Sequence, residues 1–204
     1  MLDTTAATVP SSPKFTGAKL PLKPMHVWGI RVRLQVERRL RDLALFDVAL
    51  DSKLRGCDVV NLRVGDVVSC GSPRKRGMVL QQKTGRPVQF EITEQTRQSI
   101  ARLLERREGS SHEWLFPSRQ NPERHLSTRQ YSRLVKMWTQ LVGLEPSAYG
   151  THSLRRTKVC LLYKKTGNLR ACQLLLGHTK LESTVRYLGV EVDDALLMSE
   201  ALEL

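Results

Sequence analysis

The chain has 204 residues, of which 40% are hydrophobic and 26% are charged, enough for one domain with a sizeable core or two small ones. The 33 Lys and Arg residues outnumber the 20 Asp and Glu residues, and the net charge of +13 favours a polyanionic partner, either nucleic acid or an anionic membrane surface. No apolar run approaches the roughly 18 residues of a membrane span, residues 1–24 do not have the pattern of a secretion signal, and the four cysteines have no paired spacing.

The first half of the chain predicts a tail followed by two helices. Prolines recur through residues 1–24, which predicts a flexible N-terminal tail. From Met25 onward apolar residues recur at intervals of three and four, which indicates a helix. A second, more apolar helix is predicted over residues 42–54, and Gly56 is expected to mark its end.

The spacing of the apolar residues then changes to that of strands. Residues 64–68 predict a short strand, and residues 78–83 and 88–92 flank a turn that contains Gly85. We expect these three segments to form a three-stranded antiparallel sheet, with Lys83 at the tip of its second hairpin. The predicted fold class is therefore α+β, mainly α.

The rest of the chain is predicted to be helical. The predicted helices span residues 93 to about 107, 127–142, 153–165, 169–176, 181–188 and 193–204. The last of these lies in residues 191–204, which contain five acidic residues and no Lys or Arg. An acidic end on a basic body suggests that this end has its own contact to make.

Several polar residues near the C-terminus could bind one anion. His152 and Arg155 are three residues apart at the start of a predicted helix, where both side chains can donate to the same phosphate. His178 follows a helix end at Gly177, and Tyr187 comes nine residues later. On spacing alone these residues also fit a solvated basic patch, a histidine at a helix C-terminus and a core tyrosine.

Two further cations stand upstream. Arg55 follows the second predicted helix, and Lys83 lies in the predicted hairpin. Taken singly, each fits an exposed surface residue as well as a functional one. The cysteines and histidines form no metal-binding motif, so no metal site is predicted.

The order of these residues resembles the tyrosine recombinases, also called the phage integrase family. The shared pattern is an Arg, a hairpin Lys, His-x-x-Arg, Leu-Leu-Gly-His and a Tyr nine residues further on. The resemblance extends over about residues 40–190 and is most specific over 152–187. It implies a tyrosine recombinase catalytic domain over residues 25–190, in a short form that lacks the N-terminal core-binding domain.

The resemblance also implies a role for each residue of the pattern. Tyr187 would be the nucleophile that forms a 3′-phosphotyrosine, and Arg55 and Arg155 would hold the non-bridging oxygens of the phosphate. Lys83 would protonate the leaving 5′ oxygen, and His152 would be the acid/base for the tyrosine.

Two more positions complete the implied site. His178 would hydrogen-bond the phosphate. Asp58 would orient the cations of the site without contacting the phosphate itself. The family uses neither metal nor nucleotide, so no cofactor is expected.

The implied function is site-specific DNA recombination of the integrase, invertase or resolvase type. Double-stranded DNA would be the substrate, bound by a homo-tetramer in the cytoplasm at the bacterial nucleoid, with no role for a membrane. The acidic helix 193–204 would dock on the next protomer, or equally on its own basic body, and an accessory protein remains open as a further partner. The alternatives are relaxation of supercoils by a type IB topoisomerase-like enzyme and a DNA-binding regulator that keeps the fold.

Overall fold

The computed structural model describes residues 19–106 and 114–189, together with Leu196, Ser199 and Glu200. The helices within these ranges are α1 Pro24–Val36, α2 Leu40–Ser52, α3 Gly56–Val60, α4 Val64–Val67, α5 Glu94–Glu105, α6 Thr128–Gln140, α7 Thr151–Thr166, α8 Leu169–Leu176 and α9 Leu181–Leu188. The strands are β1 Val68–Ser69, β2 Ser72–Pro73, β3 Arg76–Leu80 and β4 Pro87–Glu91. In this part of the chain, no helix combines the length and the apolar character that crossing a membrane requires.

Helix α2 lies at the centre of the core. Every residue from Asp42 to Ser52 is buried, and the helix packs against α1, α5 and α7. The ring of Phe46 on α2 meets Trp138 of α6 edge to face, with 5.5 Å between the ring centres. Because α2 is enclosed on all sides, the residues at its C-terminal end start from a rigid support.

The end of α2 differs from the prediction. The helix ends at Ser52, because Lys53 adopts the left-handed conformation with φ of 53°. Gly56, predicted as the stop signal, instead begins α3, after Arg55 at the N-cap. A Cβ on Gly56 would lie 3.2 Å from Thr151 Oγ1, so glycine lets α3 approach the start of α7. Arg55 therefore lies in the turn between α2 and α3.

The predicted three-stranded sheet is wrong, because residues 68–91 form two separate two-stranded sheets. Residues 64–67 form the short helix α4, in which Asp66 accepts a hydrogen bond from the backbone N–H of Arg63 at 2.8 Å. Strand β1 then turns back at once through Cys70 and Gly71, both with positive φ, and pairs with β2. The pairing ends where β1 meets α4, although the N–H of Arg74 still donates to the carbonyl oxygen of Val67 at 2.8 Å.

The second sheet is the hairpin of β3 and β4. Leu80 pairs with Pro87 next to the turn that holds Lys83, and Gly77 pairs with Phe90 further along. The position of Lys83 on this hairpin therefore agrees with the prediction.

Part of the segment predicted as a flexible tail is packed against the body. Residues 1–18 lie outside the described residues, but Leu22 is 2% exposed, and its N–H donates to Thr157 Oγ1 at 2.9 Å. The N–H of Leu20 donates to the carbonyl oxygen of Ala148 at 3.1 Å. Residues 19–23 thus lie against α7 and the 3-10 turn before it.

The C-terminal helices begin and end near the predicted residues. Asn168 caps α8 by accepting from the N–H of Ala171 at 2.9 Å, and Gly167 and Gly177 end α7 and α8 in the left-handed conformation. Of the predicted acidic helix 193–204, only Leu196, Ser199 and Glu200 are described, and these three are helical and exposed. The remainder of that prediction lies outside the described residues.

The β3–β4 hairpin generates a stability prediction. A Cβ on Gly77 would come within 2.5 Å of the buried Phe90 ring. We expect Gly77→Ala to lower the free energy of unfolding by about 1–3 kcal/mol, because the ring must shift within a packed core. Urea unfolding followed by circular dichroism measures this change.

Gly65→Ala is the matched control, because no atom lies within 4 Å of its added Cβ and the residue is in helix α4. Its free energy of unfolding should stay equal or rise by up to about 1 kcal/mol. Equal changes in the free energy of unfolding for the two substitutions would show that the Phe90 ring makes room for the added methyl group without cost.

Candidate active site

Arg155 is a buried arginine held in one orientation. It lies in the first turns of α7 and is 2% exposed. Its Nη1 donates to the carbonyl oxygen of Lys53 at 2.7 Å, and its Nη2 donates to the carbonyl oxygen of Leu176 at 2.8 Å. Desolvation lowers the pKa of Arg155, but a guanidinium keeps its proton at neutral pH. Two carbonyls from the ends of α2 and α8 therefore fix the plane of a buried positive charge.

Arg55 is held by the root of the β3–β4 hairpin. Its Nη1 donates to Gln81 Oε1 at 2.7 Å, and the hydroxyl of Thr84 donates to the same oxygen at 2.9 Å. Gln81 directly follows β3 and is 1% exposed, so it is itself fixed by packing. The hairpin thus positions the first of the two predicted arginines.

Tyr187 on α9 faces two guanidinium groups. The centre of its ring lies 5.8 Å from Cζ of Arg155 and 5.5 Å from Cζ of Arg156. Its hydroxyl is buried and makes no hydrogen bond of standard geometry within the described ranges. Burial raises the pKa of Tyr187 to about 12, although the charges of Arg155 and Arg156 act in the opposite direction. The phenol is therefore protonated at neutral pH and surrounded by groups that stabilise its anion.

The two predicted histidines lie in the field of these arginines. Desolvation, followed by the charges of Arg155 and Arg55, lowers the pKa of His178 to about 4. The ring of His178 stands edge-on to Tyr187 at 5.5 Å, and its Nδ1 lies 3.1 Å from Thr184 Oγ1. Desolvation and the charges of Arg155 and Arg55 also lower the pKa of His152 below 6.5. Both imidazoles are therefore neutral near pH 7.

Asp58 makes a contact with the β3–β4 hairpin that the sequence did not predict. Asp58 is 4% exposed, and its Oδ1 accepts a hydrogen bond from the backbone N–H of Gln82 at 2.9 Å. This contact holds the root of the hairpin that carries Lys83. Lys83 itself is exposed on the turn, and no hydrogen bond or ion pair of its side chain occurs among the residues that the structure describes. The structure brings Arg155 and His178 to Tyr187 and places Arg55 and His152 within electrostatic range of Arg155, while Lys83 lies on the adjoining hairpin.

Sequence reasoning missed several residues around the site. Arg156 is 9% exposed, and its Nη1 donates to the carbonyl oxygen of Lys19 at 3.0 Å. Its place directly after Arg155 could have pointed to it. Neither Gln81 nor Lys53 carries a signal in the sequence, because their roles depend on contacts with residues far along the chain.

The described cations of the site form no salt bridge, although the buried carboxylate of Asp58 acts electrostatically on Arg155. Within residues 19–106 and 114–189, none of Arg55, Arg155 and Arg156 forms a salt bridge. Buried positive charge without a counter-charge is unfavourable, and an anion would relieve this cost. The described residues also contain no group of three or more His, Cys, Asp or Glu able to hold a metal ion. The arrangement thus suits an anion beside a phenol.

The chain is similar to several proteins named as recombinases. It is 28% identical to the probable integrase/recombinase YoeC of Bacillus subtilis over 158 residues, which cover 78% of this chain and 82% of that protein. It is 29% identical to the tyrosine recombinase XerA of Thermococcus kodakarensis over 157 residues, which cover 76% of this chain and 53% of that protein. The chain therefore spans most of YoeC but about half of this XerA.

Solved structures share the fold. The crystal structure of XerA recombinase superposes with a TM-score of 0.73 at 18% identity, covering 95% of this chain and 66% of that one. The XerH site-specific recombinase bound to its difH substrate gives a TM-score of 0.71 at 19% identity, covering 90% of this chain and 55% of the other.

The match to a family model covers far more of the chain than any single motif does. The model of the phage integrase family matches residues 33–193, which include every predicted site residue from Arg55 to Tyr187. Together with the shared fold, this match shows that the chain belongs to the phage integrase family.

Proposed function

We propose that this protein is a site-specific DNA recombinase that cuts and rejoins DNA through a 3′-phosphotyrosine intermediate. The observation that carries the proposal is the contact of Tyr187 with Arg155 and His178, while Arg55 and His152 interact electrostatically with Arg155. An anion-binding regulator would need the cations but has no use for a phenol held among them.

The two arginines would bind the scissile phosphate. The carbonyls that hold Arg155 use one N–H of each terminal nitrogen, so the guanidinium keeps further donors for the phosphate. Arg55, fixed by Gln81, would contact a second non-bridging oxygen. Because the protein already positions both guanidinium groups toward these oxygens, they stabilise the pentacoordinate transition state without reorganisation of the site.

The cleavage step can be written with its protons. The Tyr187 oxygen attacks phosphorus, its proton passes to the neutral His152, and the bond from phosphorus to the 5′ oxygen breaks. Lys83 would supply the proton to that leaving oxygen, and His178, also neutral, would donate a hydrogen bond to the phosphate. Asp58 would act by holding the hairpin that presents Lys83.

Assembly on double-stranded DNA follows from the same proposal. A net charge of +13 suits the duplex, and recombination joins two duplexes, for which a homo-tetramer supplies four nucleophiles. Docking of the acidic helix 193–204 on a neighbouring protomer would link the subunits, and an accessory protein could add DNA affinity. Such an enzyme would work in the cytoplasm at the bacterial nucleoid.

A covalent trapping experiment tests the function even though the target sequence is unidentified. The protein is incubated with a library of duplexes that carry a nick beside a randomised core, so that cleavage releases a short strand and prevents rejoining. We expect a denaturation-resistant adduct whose DNA enriches for one sequence. Tyr187→Phe, which removes only the hydroxyl, should give no adduct. Absence of any adduct with the native protein would refute the proposal.

Substitution of the fixed arginine tests the phosphate clamp. We expect Arg155→Lys to slow single-turnover cleavage of the enriched duplex by about 100-fold or more, because an ammonium cannot span both carbonyls and the phosphate. Arg170→Lys is the control, because Arg170 is exposed and its side chain hydrogen-bonds only to Gln173 among the described residues. A cleavage rate within about twofold of the native rate in Arg155→Lys would remove this residue from the clamp.

The lowered histidine pKa values predict the pH dependence. Cleavage requires neutral His152, so its rate falls only when the pH drops through the lowered pKa of this group. At subsaturating protein, where the profile reports the free enzyme, the acid limb should lie below pH 6.5. His152→Gln should lose this limb. An acid limb at or above pH 6.5 would contradict the proposed state of His152.

A further inference from the structure

A cluster of four charged residues lies next to the elements that hold Arg155. Lys53 is 1% exposed, and its Nζ lies 2.6 Å from both carboxylate oxygens of Glu91. Lys158 contacts Asp51 Oδ1 at 2.6 Å and Glu91 Oε1 at 2.8 Å. We call these four residues the charge cluster. None of its four residues takes part in the proposed reaction.

The charge cluster ties together the elements that hold the arginines. Asp51 and Lys53 are at the end of α2, and Glu91 is the last residue of β4. Lys158 lies on α7, about one turn after Arg155, on the same side of the helix. Ion pairs among these residues fix the end of α2 relative to both α7 and the hairpin.

The backbone of Lys53 gives the cluster a direct link to the site. Its φ of 53° is in the left-handed region, which a non-glycine residue adopts at a cost of about 1 kcal/mol or more. The carbonyl oxygen of this same residue accepts the hydrogen bond from Arg155 Nη1. The side chain of Lys53 therefore anchors, through Glu91, the peptide group that orients Arg155.

We propose that Lys53 is a positioning residue that sets the orientation of Arg155 through its own backbone, with Glu91 as its anchor. This inference rests on the proposed function of the site. Buried ion pairs contribute little net stability compared with apolar residues of the same volume, so orientation rather than stability is the effect to measure. A shift of about 1 Å in a group that binds the transition state can slow a reaction about 100-fold.

Kinetics with two substrates distinguish positioning from a loss of stability. The native protein, Lys53→Met and Glu91→Gln are compared on the enriched duplex and on the same duplex with a methylphosphonate at the scissile position. The methylphosphonate removes the negative charge that Arg155 would neutralise, so cleavage of this duplex depends less on the orientation of the guanidinium. Far-UV circular dichroism and the melting temperature establish folding.

We expect Lys53→Met to slow cleavage of the ordinary duplex by about 10- to 100-fold and that of the methylphosphonate duplex by about threefold or less. Glu91→Gln should show the same preference with a smaller loss, because the amide still accepts one hydrogen bond from Lys53. The side chain of Glu91 is 37% exposed, so Glu91→Gln is expected to fold. This variant therefore tests the positioning role if Lys53→Met does not fold.

Arg31→Gln is the matched control. It breaks an ion pair at 2.7 Å between Arg31 and Asp47, which is on the same helix α2 and has a fully buried side chain. Both cleavage rates of this variant should remain within about twofold of the native rates, even if its melting temperature falls.

Three results would overturn the positioning role while leaving the proposed function intact. They are equal losses on the two duplexes in the folded variants, the same selective loss in Arg31→Gln, and native rates in both Lys53→Met and Glu91→Gln. Failure of the native protein to form any adduct would instead refute the proposed function and, with it, this inference.

Discussion

The two hydrogen bonds from Arg155 to the carbonyl oxygens of Lys53 and Leu176 are the contacts on which the site depends. Both acceptors lie at C-terminal helix ends, where carbonyl groups carry partial negative charge and have no partner within the helix. They offset part of the cost of burying the guanidinium without neutralising it. A carboxylate in the same place would hold the arginine equally well but would compete with a phosphate for its charge.

The protein thus separates two kinds of buried charge. In the cluster of Lys53, Asp51, Glu91 and Lys158, each cation meets a carboxylate, and the group is neutral overall. Nearby, the printed hydrogen bonds of Arg55 and Arg155 go to a side-chain amide oxygen and to two backbone carbonyl oxygens, and none of them goes to a carboxylate among the described residues. The buried carboxylate of Asp58 acts on Arg155 without forming a salt bridge with it, so an anionic ligand could still bind the guanidinium directly.

Local signals explain which parts of the fold could be predicted. The caps Asn168, Gly167 and Gly177 act within one turn of their own helices, so the ends of α7 and α8 could be predicted from the sequence. The end of α2 could not, because a lysine at positive φ contradicts local preference and is held there by Glu91, 38 residues away. The site residues were found through a resemblance, whereas the contact of Arg55 with Gln81 required the folded chain.

Tyr187 shows why the resting site differs from a reacting one. Its hydroxyl is buried and its pKa is raised to about 12, so the phenol is protonated at neutral pH and shielded from solvent in the described arrangement. Helix α9 lies on a small cluster of Val159, Cys172 and Leu176, separate from the main core. Because little apolar surface holds this helix, a shift of α9 costs less than a shift of α7 would. If Tyr187 is displaced toward DNA, we therefore expect the displacement to occur in α9 rather than in the helices that hold the clamp.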